Sequence, residues 1–265
     1  MSRDAARDPG WVAEYEAMLE AYREAGGDPA TLSAPGVAAL VVSSNRVLAR
    51  SEVPGVTLEF RERSNGISAR VLVDPGTRPE RPVHLCFGML PAEGIQEIDP
   101  TFEIGADADV RFITHCTFPH ATRLRHRMDA DVHVGRGAGM EYLVGHYHGP
   151  HGGIVVQPTS RVVVDEGGRF LSTFSLVRGR VGTLEIRYDV SVGPHGLAEL
   201  TTKAFGRADD RVRLDEVLHL DGEGSRGIMK TRVAVRDEAV SEVSTTAEGR
   251  RVRPRAHGLR RDRAR

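Results

Sequence analysis

Residues 105–143 read GADADVRFITHCTFPHATRLRHRMDADVHVGRGAGMEYL. The segment opens on a turn at Gly105, continues into a strand-like alternation at residues 110–113, and repeats both features at Gly137 and residues 140–143. Successive side chains of a strand face opposite sides, so each alternation predicts a short strand with one apolar face. The segment therefore contains one full structural repeat without a helix signal.

The same turn recurs along the chain. Turns at Gly105, Gly137, Gly167, Gly193 and Gly222 lie 32, 30, 26 and 29 residues apart, and each is followed by a strand-like segment. A period of 20–50 residues made of strands predicts a stacked repeat, and the lack of a propeller-blade signature favours a parallel β-helix. The alternative is an antiparallel sandwich, in which turns normally come every 8–12 residues.

The composition is that of a globular protein. The 265 residues include 29 Gly, which excludes a long-helix or coiled-coil protein, and 36 Lys+Arg balance 37 Asp+Glu. The longest apolar run, residues 37–42, is far shorter than the ~20 residues of a membrane span. The charged residues 1–10 show no secretory signal, and two cysteines cannot form a disulfide framework. We expect a cytoplasmic protein that does not bind membranes.

Three segments are predicted. Residues 1–35 form an N-terminal helical segment, residues 36–249 a β-helix core domain, and residues 250–265 a basic, disordered tail. The helix is indicated by an apolar stripe at helical spacing that ends at Gly26 and Gly27, and we expect it to dock on its own domain. The tail has eight Arg and one acidic residue but no aromatic side chain to stack on bases, so nucleic acid is not an expected partner.

Histidine is concentrated in one window. Eight of the eleven histidines, and both cysteines, lie between His84 and His151. Because strand residues two apart share a face, His84 and Cys86 should point together, as should His146 and His148. By the same rule His115 and Cys116 should face opposite sides of their strand. Imidazole and thiolate are ligands for iron, zinc and copper, so the window is compatible with a metal site.

The sequence gives less support to three other kinds of functional site. A cupin-type site needs an acidic ligand soon after His146 and His148, where glycines stand instead. The acid pairs Asp129/Asp131 and Asp209/Asp210 could act in a polysaccharide-cleaving β-helix, but such pairs usually only solvate a turn. The GxGxxG string at residues 222–227 precedes a strand-like segment rather than a helix, which excludes a dinucleotide site.

Several short motifs together resemble the SufB/SufD family of iron–sulfur cluster assembly proteins. They occur in family order from about residue 36 to 249: Pro82-Val-His-Leu-Cys-Phe-Gly88, Gly94-Ile-Gln96, His115-Cys-Thr-Phe-Pro119, His126-Arg-Met128, Tyr142…His146-Tyr-His148-Gly149, Gly179-Arg-Val-Gly182, Ile186-Arg-Tyr188 and Arg226-Gly-Ile-Met-Lys230. The resemblance implies a right-handed parallel β-helix, in agreement with the repeat. It also implies a cytoplasmic scaffold that works with a SufC-like ABC ATPase and pairs with itself or a sister subunit.

The sequence departs from the family after Gly249. Family members continue with a segment like Gly-His-Val-Asp-Cys, a Thr-His-Glu-Ala-like stretch and a helical domain that contacts the ATPase, and no position here matches those residues. Two explanations stay open: a truncated or frame-altered member, or a shortened variant that uses the His/Cys window.

We expect a scaffold and not an enzyme, one that holds iron and sulfide as a transient iron–sulfur cluster. The candidate metal ligands are the thiol, imidazole and carboxylate residues of the window: Cys86, Cys116, His84, His115, His146, His148 and Glu141. The alternatives are an interaction module that only dimerises or docks and, less favoured, a polysaccharide-active β-helix enzyme.

Overall fold

The structure, a computed structural model, describes residues 9–249 and 255–258. In this part of the chain one α-helix, α1 (Pro9–Glu24), and a 3₁₀ helix (Pro29–Ser33) precede seventeen strands. The strands form two sheets, sheet A with nine strands and sheet B with eight.

Sheet A consists, in chain order, of β1 (Ala39–Ser43), β2 (Arg46–Ser51), β5 (Val83–Gly88), β7 (Asp109–Phe118), β9 (Gly139–His148), β11 (Arg169–Arg178), β13 (Leu197–Gly206), β15 (Arg226–Val235) and β17 (Arg255–Gly258). Sheet B consists of β3 (Val56–Arg63), β4 (Gly66–Val73), β6 (Glu93–Ile104), β8 (Arg123–Val134), β10 (Ile154–Val164), β12 (Gly182–Val192), β14 (Arg211–Leu220) and β16 (Val240–Gly249).

The chain alternates between the sheets, so that each coil contributes one strand to sheet A and the next to sheet B. From β4 to β15 each strand pairs in parallel with the strand two places later, while β1–β2 and β3–β4 are antiparallel hairpins at the N-terminal end. Asp109 pairs with Gly139, which pairs with Arg169, so a coil takes about 30 residues. The predicted parallel β-helix is confirmed, and the antiparallel sandwich is excluded.

The core fills the lumen, which is the space enclosed between the two sheets. Along β8 every second residue, from Leu124 to Val134, is buried, and the residues between them face outward. Aromatic rings stack across the lumen, with the centroids of Phe102 and Phe112 5.3 Å apart. Period-two alternation therefore defines the inner face of each strand, as the sequence pattern predicts.

The turns between strands contain residues in the left-handed backbone conformation, and corresponding turns of successive coils lie next to each other. Gly137 and Gly167 both have φ of +67°, and the amide of Gly137 donates to the carbonyl oxygen of Glu166 in the next coil. Glycine adopts this conformation without the steric cost that a side chain brings. Other turns place Asp107, His195 and Ala208 in the same region.

Helix α1 covers the outer face of sheet A. Its buried residues Met18 and Tyr22 pack against Ala39, Val41 and Cys86, a satellite core separate from the lumen. The helix ends where predicted, because Gly26 has φ of +98° and a side chain on Gly27 would lie within 2.2 Å of the Tyr22 ring. The predicted docking of this helix on its own domain is confirmed.

The described residues do not cover the whole of the predicted tail. Residues 255–258 form β17, which pairs with β15, and the rest of residues 250–265 lies outside the described part of the chain, as do residues 1–8. Among the described residues no helix is both long and apolar enough to cross a membrane.

Candidate metal centre

Three metal-binding side chains meet inside the lumen. Cys116 on β7, His126 on β8 and His146 on β9 place their ligand atoms within 4.8 Å of one another, and we call them the lumen triad. Cys116 and His146 are register partners on neighbouring strands of sheet A, and His126 reaches them from sheet B. Local alternation brings each residue to the inner face, and the coil register brings the three together.

The lumen triad is buried and enclosed by aromatic rings. The exposed fractions of Cys116 and His126 are 0%, and that of His146 is 6%. The ring of Phe118 lies 4.8 Å from that of His126, and the ring of Phe174 lies 4.8 Å from that of His146, centroid to centroid. A polar group in such surroundings is costly unless it binds a partner.

His146 and His148 share the inner face of β9, but only His146 belongs to the lumen triad. His146 Nδ1 and His148 Nε2 are 3.4 Å apart, so the other ring nitrogen of His146 is left for the lumen triad. Neither ring nitrogen of His126 has a hydrogen-bond partner among the described residues, although the side chain is fully buried. Buried, unpartnered polar atoms of this kind are typical of sites that bind water or an ion.

Burial also determines the protonation of the lumen triad. It lowers the pKa of His126 and His148 to about 3 and the pKa of His146 well below its ordinary value, and nearby imidazoles add to the effect for His126 and His146. Burial raises the pKa of the Cys116 thiol. At neutral pH the imidazoles are therefore uncharged and have lone pairs available, and the thiol becomes a ligand when a cation displaces its proton.

The ligand chemistry narrows the choice of metal. One thiolate and two imidazoles suit zinc, iron or copper, whereas magnesium and calcium prefer oxygen ligands. The lumen triad contains no carboxylate. The residues present therefore fit iron, the metal that the family resemblance implies.

Three of the predicted ligands lie on the other side of sheet A. His84, Cys86 and His115 face outward beneath α1, and we call them the outer-face group. The hydroxyl of Tyr22 and Nδ1 of His84 are 3.1 Å apart, and the rings of Tyr22 and His115 lie 4.6 Å apart. Burial lowers the pKa of His115 to about 4 and raises that of Cys86 to about 12.

The remaining predicted ligand, Glu141, lies on the outer face of β9 and forms an ion pair with Arg111. His151 is exposed beyond the end of β9. The seven predicted ligands are thus divided by the structure: Cys116 and His146 belong to the lumen triad, His148 contacts it, and the other four lie outside it.

His126 is a member of the lumen triad that the candidate ligands predicted from the sequence do not include. Its signal was present in β8, where His126 occupies an inner position between Leu124 and Met128, a place that a purely structural strand gives to an apolar side chain. Only the register between sheets shows that it meets Cys116.

The acid pairs have basic or backbone partners. Asp129 and Asp131 both bind Arg161, at 2.9 and 2.7 Å. Asp210 is buried and accepts hydrogen bonds from the backbone amides of Gly182 and Arg207, each 3.0 Å long. These contacts give the carboxylates structural roles in the turns and on the outer face.

The fold and the lumen triad define a β-helix protein with a buried group of nitrogen and sulfur side chains, suited to a metal ion, inside its coils. The chain is 32% identical over 210 residues to an iron–sulfur cluster assembly SufBD family protein of Methanocaldococcus jannaschii, covering 79% of this chain and 66% of the relative. It is 31% identical over 238 residues to another of Pyrococcus horikoshii, covering 90% of this chain and 72% of the relative. The chain belongs to the SufBD family. No protein-family model matches it.

Proposed function

We propose that this protein acts in iron–sulfur cluster assembly as a scaffold that takes up iron and sulfide at the lumen triad. The names of the two relatives support the process, and the resemblance of the motifs supports the scaffold role. One observation carries the proposal to particular residues: the fully buried His126, without a hydrogen-bond partner among the described residues, lies against Cys116 and His146.

The side chains suit iron as cargo. Neutral His126 and His146 offer lone pairs to ferrous iron, and Cys116 offers a thiolate once its proton leaves. A thiolate also binds iron within clusters, so Cys116 is the residue through which sulfide-bearing cargo would be held. The aromatic rings of Phe118 and Phe174 exclude water from this chemistry.

The proposal includes two partners. A SufC-like ABC ATPase would drive release of the cargo, and a second copy or a sister subunit would complete the scaffold, as the family resemblance implies. The second contact is supported by β16, which within the described residues pairs on one side only, with β14, and so offers a strand edge. Copurification with the ATPase and light scattering of the isolated chain test these contacts.

Anaerobic reconstitution tests the function. The protein is incubated with ferrous iron and sulfide, and absorbance, iron and sulfide per chain are measured for wild type, Cys116→Ala, His126→Leu and Cys86→Ala. We expect stoichiometric iron and sulfide in wild type and in Cys86→Ala, and loss of both in the other two variants. Cys86→Ala is the matched control, since it also removes a buried thiol. A folded wild type that takes up no iron and sulfide would refute the proposal.

A further inference from the structure

The geometry of the lumen triad bears on whether metal first binds there as a single ion or as an assembled cluster. We propose that Cys116, His126 and His146 bind one divalent metal ion of the class that prefers nitrogen and sulfur ligands, before any sulfide is present, with Gln96 and His148 orienting the two imidazoles. This inference rests on the proposed function and adds an order to it: a single ion enters first.

The spacing of the ligand atoms fits one ion. Zinc–sulfur bonds are about 2.3 Å and zinc–nitrogen bonds about 2.0–2.1 Å, so in a tetrahedral site two ligand atoms of one ion lie roughly 3.3–3.6 Å apart. The ligand atoms of the lumen triad already lie within 4.8 Å of one another. Binding one ion therefore requires the ligand atoms to approach one another by up to about 1.5 Å, a change that we expect side-chain rotation to supply.

The available space fits an ion better than an assembled cluster. Cys116 and His126 expose none of their surface and His146 exposes 6%, so little free space adjoins the lumen triad. An ion can sit among the ligand atoms themselves, whereas iron–sulfur clusters need room for several atoms and four ligands, typically thiolates. The lumen triad supplies one thiolate.

His146 contacts a second histidine, and His126 lies beside a glutamine; metal-binding histidines commonly use outer partners of this kind. Nδ1 of His146 lies 3.4 Å from Nε2 of His148. Gln96, on β6, is the register partner of His126, and both side chains point into the lumen. The carboxamide nitrogen of Gln96 donates to the carbonyl oxygens of Ser44 and Gly88, while its oxygen has no partner among the described residues.

The unpaired oxygen of Gln96 and the unpaired nitrogens of His126 thus belong to neighbouring residues on adjacent strands. When one nitrogen of His126 binds the ion, the other carries a proton, and we expect side-chain rotation to bring this proton within hydrogen-bond distance of the Gln96 oxygen. Such outer contacts fix the tautomer and the orientation of a ligating histidine. Binding of one ion would thereby give both ring nitrogens of His126 a partner: the ion for one nitrogen and the Gln96 oxygen for the other.

The binding step balances simply. The ion exchanges water ligands for two neutral imidazoles and the Cys116 sulfur, the S–H bond is replaced by an S–metal bond, and the proton passes to solvent. No oxidation or reduction takes place. The product is a mononuclear site with one thiolate, to which sulfide can be added later.

The test uses the purified full chain, treated with a chelator and titrated anaerobically with Co²⁺ or Fe²⁺ alone, without sulfide. Co²⁺ reports thiolate ligation through a sulfur-to-metal charge-transfer band. We expect one ion per chain with this band in wild type and Cys86→Ala, and loss of the band in Cys116→Ala and His126→Leu. His126→Leu keeps an apolar side chain of similar size in the lumen, and thermal unfolding of each variant shows that it is folded.

Two results would overturn the inference: no stoichiometric ion in the absence of sulfide, or an ion whose band survives Cys116→Ala or His126→Leu in a folded variant. The proposed function fails separately. Cluster formation on reconstitution without binding of metal alone would remove the inference and leave the function, whereas one bound ion without any cluster would do the reverse.

Discussion

Cys86 and Cys116 lie on neighbouring strands, one register position apart, and therefore face opposite sides of the same sheet. Phe87 is the register partner of Cys116, and Cys86 is that of His115. Both thiols are fully buried, Cys116 in the lumen and Cys86 beneath α1. The two cysteines are shielded from solvent by different parts of the structure. The two sheets enclose Cys116, whereas helix α1 covers Cys86.

Loosening α1 should therefore expose Cys86 alone. Met18 is completely buried between α1 and sheet A, and Met18→Ala should weaken the docking of the helix by about 2–5 kcal/mol. We expect alkylation of Cys86 to accelerate about tenfold or more, while the rate at Cys116 stays unchanged. Mass spectrometry of iodoacetamide-treated protein measures both sites in one sample. Equal acceleration at the two cysteines would show global opening instead.

His148 should tune the metal site without being one of its three ligands. His148→Leu removes the ring that contacts Nδ1 of His146, and loss of such outer contacts weakens metal binding by about 10–100-fold. We expect the titration with Co²⁺ to keep one ion per chain at this lower affinity. Exposed His151 provides the control, because His151→Ala should leave the titration unchanged. Loss of the ion altogether in a folded His148→Leu protein would make His148 a ligand.

A buried carboxyl group should make stability depend on pH. Glu216 accepts hydrogen bonds from the hydroxyls of Thr202, at 2.5 Å, and Thr231, at 2.7 Å, and burial raises its pKa. A raised pKa in the folded state means that ionisation destabilises the fold, a cost that is absent below the ordinary pKa of glutamate and grows as pH rises above it. Glu216→Gln should therefore raise the melting temperature at pH 8 and have little effect near pH 4.

The matched control for this experiment is Glu242→Gln, which changes an exposed glutamate on β16. Its melting curve should follow that of wild type at both pH values. A Glu216→Gln protein that melts below wild type at pH 8 would contradict the prediction, since the two hydroxyls would then stabilise the carboxylate by more than burial costs.

One turn carries removable backbone strain. Ala208 has φ of +53°, in the region where an L-residue pays roughly 1–2 kcal/mol and glycine does not. Ala208→Gly should stabilise the protein by about 0.5–1 kcal/mol, after the greater freedom of glycine in the unfolded chain is subtracted. Ala234→Gly, at an exposed position inside β15, should destabilise it by about 0.5–1 kcal/mol. Urea unfolding compares the two, and equal effects of the same sign would contradict the explanation.

The sequence predicts local features of this fold well, because they depend on neighbours along the chain. The opposite orientations of His115 and Cys116, the shared face of His146 and His148, and the end of α1 just before Gly26 all follow from short-range geometry. The turn spacing predicts the coils for the same reason, since every coil repeats one local pattern.

The contents of the site depend on contacts that no local pattern contains. His126 and Cys116 lie on opposite sheets. The distance between them depends on where each coil closes and not on the residues that separate them in the chain. The outward position of Cys86 follows from its strand, but that this face is buried depends on α1, more than 60 residues earlier in the chain. Clustering along the sequence therefore found the window that contains both groups but could not divide it into inner and outer groups.

The coil architecture has a consequence for how such chains can diverge. The lumen triad is built from three consecutive strands, β7, β8 and β9, and each coil pairs directly only with the coils before and after it. A whole coil between β11 and β16 could be deleted or duplicated. The chain would become shorter or longer, and the coils on either side could still pair with each other in the same register. Lineages could thus vary in length and exchange their outer surfaces while the chemistry within the lumen is inherited unchanged.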